Sequence, residues 1–479
     1  MIKISEILTY LLIAAVTIIF LLVAIPKIIF PYEASYMEGS MLEAISRVLI
    51  GMPVYVKPNI HYLTWLYQPL YYFITAAITS ITGLTFVTAR IPSILSTIGL
   101  CWILYAVVKK ETGRFYYAIS AVALFIAAYP KTEYCLVMAR LDPLFTLFLI
   151  SAVVLTYYSR SNTGLICGAL LLALSYFTKQ TGLVFAPVII FYLWYLRGWR
   201  PMLVFLITLT TIVLCGTYIF DALSNGWYSY YTILIPRGKG STLRLGYAIS
   251  GLFLYIFLRC WGVSIILSLS SSKNIFSKSK KTPDRASVYF GVIFIAAIIA
   301  GFLGILNNGG GHNVLLPASA ICGFFLPLIV SELIDHHRFG RLSLWLIPIQ
   351  LAFLTSFPWL EPFNITRDVT KKRQEEYFRY AASLPGNVWI PFHGYTQNFT
   401  GKEEAAEINE MRDVFLVNDT AARQLHNELD SAFLKKHWSW IVSDFNDTFP
   451  HYKFIATIPN QYKLYRADTI LCYLYKPEK

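Results

Sequence analysis

Apolar runs of roughly 17 to 25 residues recur from residue 7 to residue 360, broken only by short polar stretches. A helix needs about 20 mostly apolar residues to cross a hydrocarbon core ~30 Å thick, so the pattern predicts a polytopic α-helical membrane protein. The candidate segments lie near 7–29, 66–84, 89–108, 114–130, 142–158, 163–178, 180–196, 201–221, 246–268, 287–305, 313–333 and 342–358. Beyond 359 the rhythm changes. Strand-like runs at 387–392, 413–418, 438–445, 452–459 and 470–477 alternate with helix-like stretches at 368–384 and 419–436. That alternation predicts a small α/β domain over 359–479 after a transmembrane domain over 1–358.

Twelve crossings conflict with the charges between the segments. With the N-terminus inside, the lysine-rich loop at 270–286 would lie outside, against the rule that inner loops carry Lys and Arg, and Glu38 and Asp142 would fall on opposite faces. The segment at 66–84, with an early proline, three tyrosines and a run of Thr and Ser, has the composition of an interfacial or re-entrant helix. About eleven spans then put the basic loops at 109–114, 159–162, 197–200, 270–286 and 335–341 inside. The long first loop, 129–140, Lys179, 224–246, 307–313 and the C-terminal domain fall outside. The expected location is a bacterial inner membrane, with the N-terminus cytoplasmic and the C-terminal domain extracytoplasmic.

Composition agrees with this class: 56% of residues are hydrophobic and 14% charged. The net charge of +13 is uneven, since residues 1–358 hold 25 Lys and Arg against 11 Asp and Glu, whereas 359–479 hold 15 against 16. The excess is therefore topological and gives no nucleic-acid footprint. Five of seven cysteines lie in apolar segments, and no CxxC or His/Cys metal spacing appears, so no cofactor is expected; a divalent metal is possible without being indicated.

Acids are scarce before residue 359, and one beside hydrocarbon is costly, so each becomes a candidate for chemistry. Residues 38–49 form an amphipathic pattern, Met41, Leu42, Ile45, Val48 and Leu49 recurring at helical spacing, with Glu43 and Arg47 placed for an i,i+4 ion pair. Glu38 opens that helix without a local partner, and Glu33 is the runner-up carboxylate. Asp142 opens the segment at 142–158 one residue before Pro143, where an N-terminal acid is ordinary. Its company is not ordinary: Arg140, Lys179, Arg237, Lys239 and Arg244 lie on the face that should be poor in positive charge, and His312 sits in a Gly- and Asn-rich turn of the same face. Outer-face cations ask for an anionic partner. A polyprenyl-phosphate-linked sugar meets the whole pattern. Its tail needs lipid, its phosphate needs Arg or Lys, and the phosphate leaves without a general acid, so one carboxylate base for the acceptor hydroxyl suffices. The acceptor itself, whether lipid, glycan or protein, is not specified.

The order of these features resembles the GT-C superfamily of integral-membrane glycosyltransferases, including the protein O-mannosyltransferases and the lipid A aminoarabinose transferases. The resemblance covers most of 1–358: a first span, a long outer loop with an acidic motif, the ARIPS sequence at 89–93, the R-x-D motif Arg140–Asp142 and the F-T-K turn ending at Lys179. The family commonly has an Asp-Glu pair followed by Tyr in the first loop. Here Tyr36-Met37-Glu38-Gly39 stands there with Tyr32-Glu33 upstream, which leaves the base open between Glu38 and Glu33. The resemblance implies an inverting transfer from a lipid-phosphate sugar on the non-cytoplasmic face, with Glu38, Asp142 and Glu33 as the catalytic acids. The rival reading is a transporter or flippase of a lipid-linked or anionic substrate. Such proteins place polar or broken helices at the bilayer midplane, which here is nearly free of charge.

Overall fold

A computed structural model of the chain describes residues 2–35, 37–238, 286–306, 310–335, 340–355, 368–459 and 471–478. Helix α1 (Ile2–Ile29) is followed by the long first loop, which carries α2 (Glu38–Leu49) and α3 (Leu70–Thr82). After the short α4 (Phe86–Ala89) come α5 (Ile91–Thr112), α6 (Phe115–Ala127), α7 (Asp142–Tyr158), α8 (Asn162–Thr178), α9 (Ala186–Arg197) and α10 (Trp199–Leu223). Two short helices, α11 (Trp227–Ser229) and α12 (Ile235–Gly238), precede α13 (Ala286–Leu306), α14 (Leu316–Asp335) and α15 (Leu346–Thr355). Among the described residues, six helical segments are long and apolar enough to cross a membrane, and shorter apolar helices such as α6, α7 and α8 pack among them. The segment at 246–268, the loop at 270–285, Lys239, Arg244 and the boundary near 358 lie outside the described residues.

Helix α3 has 13 residues, about 20 Å of rise, too short to cross a ~30 Å core upright. Helix α6 is equally short. It lies almost wholly inside the protein and gives way to two 3₁₀ turns, Tyr129–Thr132 and Cys135–Val137, that lead to Asp142. Buried side chains of α1, α5 to α10 and α13 to α15 form one continuous apolar core.

The C-terminal domain begins, among the described residues, with α16 (Asp368–Ser383) and is built on a four-stranded sheet. Strand β1 (Val388–Trp389) runs parallel to β2 (Trp440–Ser443); β4 (Leu471–Pro477) pairs antiparallel with β2 and with β3 (Tyr452–Pro459), giving the order β1-β2-β4-β3. Between β1 and β2 lie α17 (Gln397–Thr400), α18 (Ile408–Phe415) and α19 (Thr420–Leu434). The run at 413–418, expected as a strand, instead closes α18. Met411 and Val414 are buried at helical spacing and outweigh the short apolar run that imitated a strand.

The domain shares a core with the first loop. Met37, Met41 and Ile45 of the loop pack in one cluster with Trp389, Met411 and Val414. A Cβ at Gly39 would stand 2.5 Å from the Gly394 carbonyl oxygen, and one at Gly394 would stand 2.7 Å from the Ser40 nitrogen, so two glycines let the backbones touch. Helix α2 therefore lies sandwiched under the domain, not simply along the bilayer surface. The expected Glu43–Arg47 pair is replaced: Arg47 donates to the Pro53 carbonyl and faces Glu404 of the domain at 3.7 Å.

Candidate active site

Glu38 is fully enclosed, and its partners come from three segments. Arg90, between α4 and α5, donates through Nε and one terminal nitrogen to the two carboxylate oxygens, each at 2.8 Å. The Ala34 and Ala139 amides donate to them at 2.7 Å. The remaining Arg90 donors reach the carbonyls of Lys27, Phe30 and Tyr32, tying up the end of α1. Burial alone would raise the Glu38 carboxyl, but the Arg90 guanidinium outweighs it and holds the group below the usual carboxylate range. Both oxygens are taken by donors, so Glu38 has no lone pair free for a substrate proton. Glu38, expected as the base, here braces α1, α2 and the 139–142 turn together.

Glu33, the other expected acid, is also fully partnered. Its Oε1 accepts the Gly39 amide at 3.1 Å, and its Oε2 lies 2.8 Å from Nδ1 of His393, whose Nε2 lies 2.8 Å from Asp444. Burial would lower the His393 pKa, yet the Asp444 and Glu33 carboxylates hold it well above the ordinary imidazole range. The triad latches the first loop to the C-terminal domain.

Asp142 sits differently. The first turn of α7 presents it beside Lys179, which ends α8: Oδ1 accepts from Lys179 Nζ at 2.7 Å and from Asn313 Nδ2 at 2.8 Å. Oδ2 faces Arg140 Nε at 3.3 Å as an ion pair. Arg140 also pairs with Glu133 at 3.2 Å, and Glu133 accepts the His312 amide at 2.7 Å. Arg140 and His312, expected to bind substrate, thus hold this corner in place.

The open space lies against Lys179. A cavity of about 650 Å³ is lined by Trp65, Leu66 and Tyr67 of the first loop, Lys179 and Gln180 after α8, Arg237 of α12, Asn313 before α14, and Asn409, Arg412 and Asp413 of α18. Gln180 joins its walls by donating to the Leu66 and Thr232 carbonyls. Two of the cations expected at the site, Lys179 and Arg237, line one chamber, with Asp142 one contact behind. Arg412 and Asp413 went unrecognised in the sequence; they lie in a charged helical stretch of the domain that carries no motif.

No protein-family model and no curated protein matches the sequence. Solved structures do match in three dimensions. The chain is similar to ArnT from Cupriavidus metallidurans bound to undecaprenyl phosphate, at 12% identity, TM-score 0.59 and 97% coverage of each chain. It is also similar to the Archaeoglobus fulgidus oligosaccharyltransferase in the apo form, at 11% identity, TM-score 0.54 and coverage of 91% of this chain and 69% of that one. The archaeal oligosaccharyltransferase AglB from the same organism, in complex with an inhibitory peptide and a dolichol-phosphate, matches at 10% identity and TM-score 0.50 over the same shares. The chain has the GT-C fold. On this GT-C framework the cavity sits between the helical bundle, the first loop and the small sheet domain, each of which supplies part of its wall.

The junction of loop and domain also carries buried acids. Glu407 accepts from Ser40 Oγ at 2.7 Å, and burial pushes its carboxyl up to about 8; burial raises Glu43 and Glu410 well above the ordinary range too. A group whose pKa is raised by folding contributes stability that is present below its unfolded value, near 4.3 for Glu, and is lost as pH rises through the folded value. His393 acts in the same direction. The unfolding temperature of the whole chain in detergent is therefore expected to fall between roughly pH 5 and 8, and Glu407→Gln is expected to flatten that fall. A profile unchanged by Glu407→Gln would remove this group from the account.

Proposed function

We propose that the protein is a membrane glycosyltransferase that moves a sugar from a polyprenyl-phosphate donor to an acceptor hydroxyl on the non-cytoplasmic face, with inversion. The observation that carries the reading is the chamber of about 650 Å³ holding Lys179, Arg237 and Arg412 beside Asp142. Cations in a partly enclosed site favour a phosphate, and it leaves as an anion that they stabilise as charge develops. The GT-C structures of ArnT and AglB contain undecaprenyl phosphate and dolichol-phosphate, which supports this donor class. The excess Lys and Arg of the inner loops supports a cytoplasmic N-terminus and an outward C-terminal domain.

In the proposed step the acceptor oxygen attacks the anomeric carbon as the carbon–oxygen bond to phosphate breaks. Lys179 and Arg237 hold the departing phosphate, and Asp142, one contact behind the chamber wall, takes the hydroxyl proton on Oδ2 by way of one water, Oδ1 being occupied by Lys179 and Asn313. Asp413, facing the chamber from α18, accepts hydrogen bonds from sugar hydroxyls. Lys179→Ala and Arg237→Ala are each expected to weaken binding of undecaprenyl phosphate to the purified protein by about 10- to 100-fold, the size of a charge-assisted hydrogen bond of about 1.5–3 kcal/mol. Binding unchanged in both variants would overturn the donor assignment. Strong lipid-phosphate binding with no sugar transfer from any lipid extract would favour the flippase reading.

A further inference from the structure

Away from the chamber, three side chains from three distant segments converge where the first outer loop meets the C-terminal domain. Nδ1 of His61 lies 3.8 Å from one oxygen of Glu403, and Nε2 of His437 lies 4.0 Å from the other. These ligand atoms all lie within 4.8 Å of one another. The imidazole rings meet edge to face with centroids 5.9 Å apart, and among the described residues neither ring makes a hydrogen bond. We propose that His61, Glu403 and His437 bind a zinc ion that pins the loop to the domain.

The donor set selects the metal. Two neutral imidazoles and one carboxylate suit zinc, whereas magnesium and calcium prefer oxygen ligands. Zinc bonds of about 2.0–2.2 Å in tetrahedral geometry place ligand atoms about 3.4 Å apart. The side chains must therefore close by roughly 0.5–1.5 Å, a rotamer adjustment open to groups that are 45%, 49% and 31% exposed. Water completes the coordination.

The backbone beneath is already fixed. Asn59 Oδ1 accepts the amides of His61 and Tyr62 at 3.0 Å, forming a tight turn that aims His61. The Ala406 amide donates to the Ile60 carbonyl at 2.9 Å, joining loop to domain one residue from His61. Lys436, at φ 52°, ends α19 in the left-handed region and turns His437 toward the loop. Asn387 Nδ2 donates to Glu403 at 2.8 Å, an outer contact of the kind that orients metal ligands. The same loop continues into Trp65, Leu66 and Tyr67 of the chamber wall, so zinc would fix that wall.

The test uses the full chain in detergent, stripped with a chelator and titrated with zinc against a chromophoric zinc indicator. One zinc per chain is expected, together with a higher unfolding temperature and slower protease cleavage in the 50–65 loop. His61→Ala and His437→Ala should each weaken zinc binding at least 10-fold and abolish the thermal and proteolytic effects, while millimolar magnesium should not compete. Wild-type protein that binds no zinc would overturn the proposal. So would histidine variants that bind zinc as well as wild type, the result expected of adventitious surface binding. Binding without any change in protease protection would refute the pinning role.

Discussion

Asp142→Asn is expected to lower turnover by about 10²- to 10⁴-fold, the contribution typical of a positioned general base, while the protein folds and still binds undecaprenyl phosphate within about 10-fold of wild type. The amide oxygen can still accept from Lys179 and Asn313, as Oδ1 does, and Arg140 keeps Glu133 as its counter-charge, but the NH₂ group facing Arg140 can no longer take a proton. Steady-state kinetics with a lipid-linked sugar extract would separate the two effects, because loss of a base acts on kcat and loss of a phosphate contact acts first on the donor's KM. Asp413→Asn is the informative partner. If it costs more in kcat than Asp142→Asn, the base belongs to α18 and Asp142 only steadies Lys179.

Glu38→Gln is expected to produce the largest loss of stability from a single substitution in the first loop. It leaves the buried Arg90 guanidinium without its counter-charge and turns one accepting oxygen toward donors as an NH₂ group. Breaking a buried pair in this way costs about 3–5 kcal/mol, so folded yield and unfolding temperature in detergent should both drop. Arg90→Met added to Glu38→Met should recover part of the loss, because a neutral pair leaves no charge stranded. A Glu38→Gln protein with wild-type unfolding temperature and no turnover would make Glu38 the base.

What could be read in the chain was what depends on neighbours in sequence. Helical spacing of apolar positions places α2 at Glu38–Leu49, and a nearly unbroken apolar run places α7 at Asp142–Tyr158, both signals held within a few turns of chain. Scarcity of acids in an apolar chain marks Glu38 and Asp142 as unusual, and each anchors a buried polar network. The division of labour between them was not legible. Glu38 is closed off by Arg90, 52 residues away, and by Ala139, 101 residues away, while Asp142 meets Lys179 at a separation of 37 and Asn313 at 171. Arg90 carried a signal, a charge set between Ala89 and Ile91 at the mouth of an apolar helix, but its several carbonyl partners are a property of packing. The latch of Glu33, His393 and Asp444 and the wall formed by α18 likewise exist only once two ends of the chain meet.

The contact between Gly39 and Gly394 bears on how the protein is made. Glu33 reaches the membrane surface early in synthesis, yet its histidine partner follows 360 residues later, a delay of roughly 20–70 s at 5–20 residues per second. Through that interval the first loop waits with charged groups that lack their mates and an apolar side that lacks its cover. A chain cut before residue 368 would leave it waiting for good, so truncation should send the protein to quality-control proteases instead of yielding a smaller enzyme.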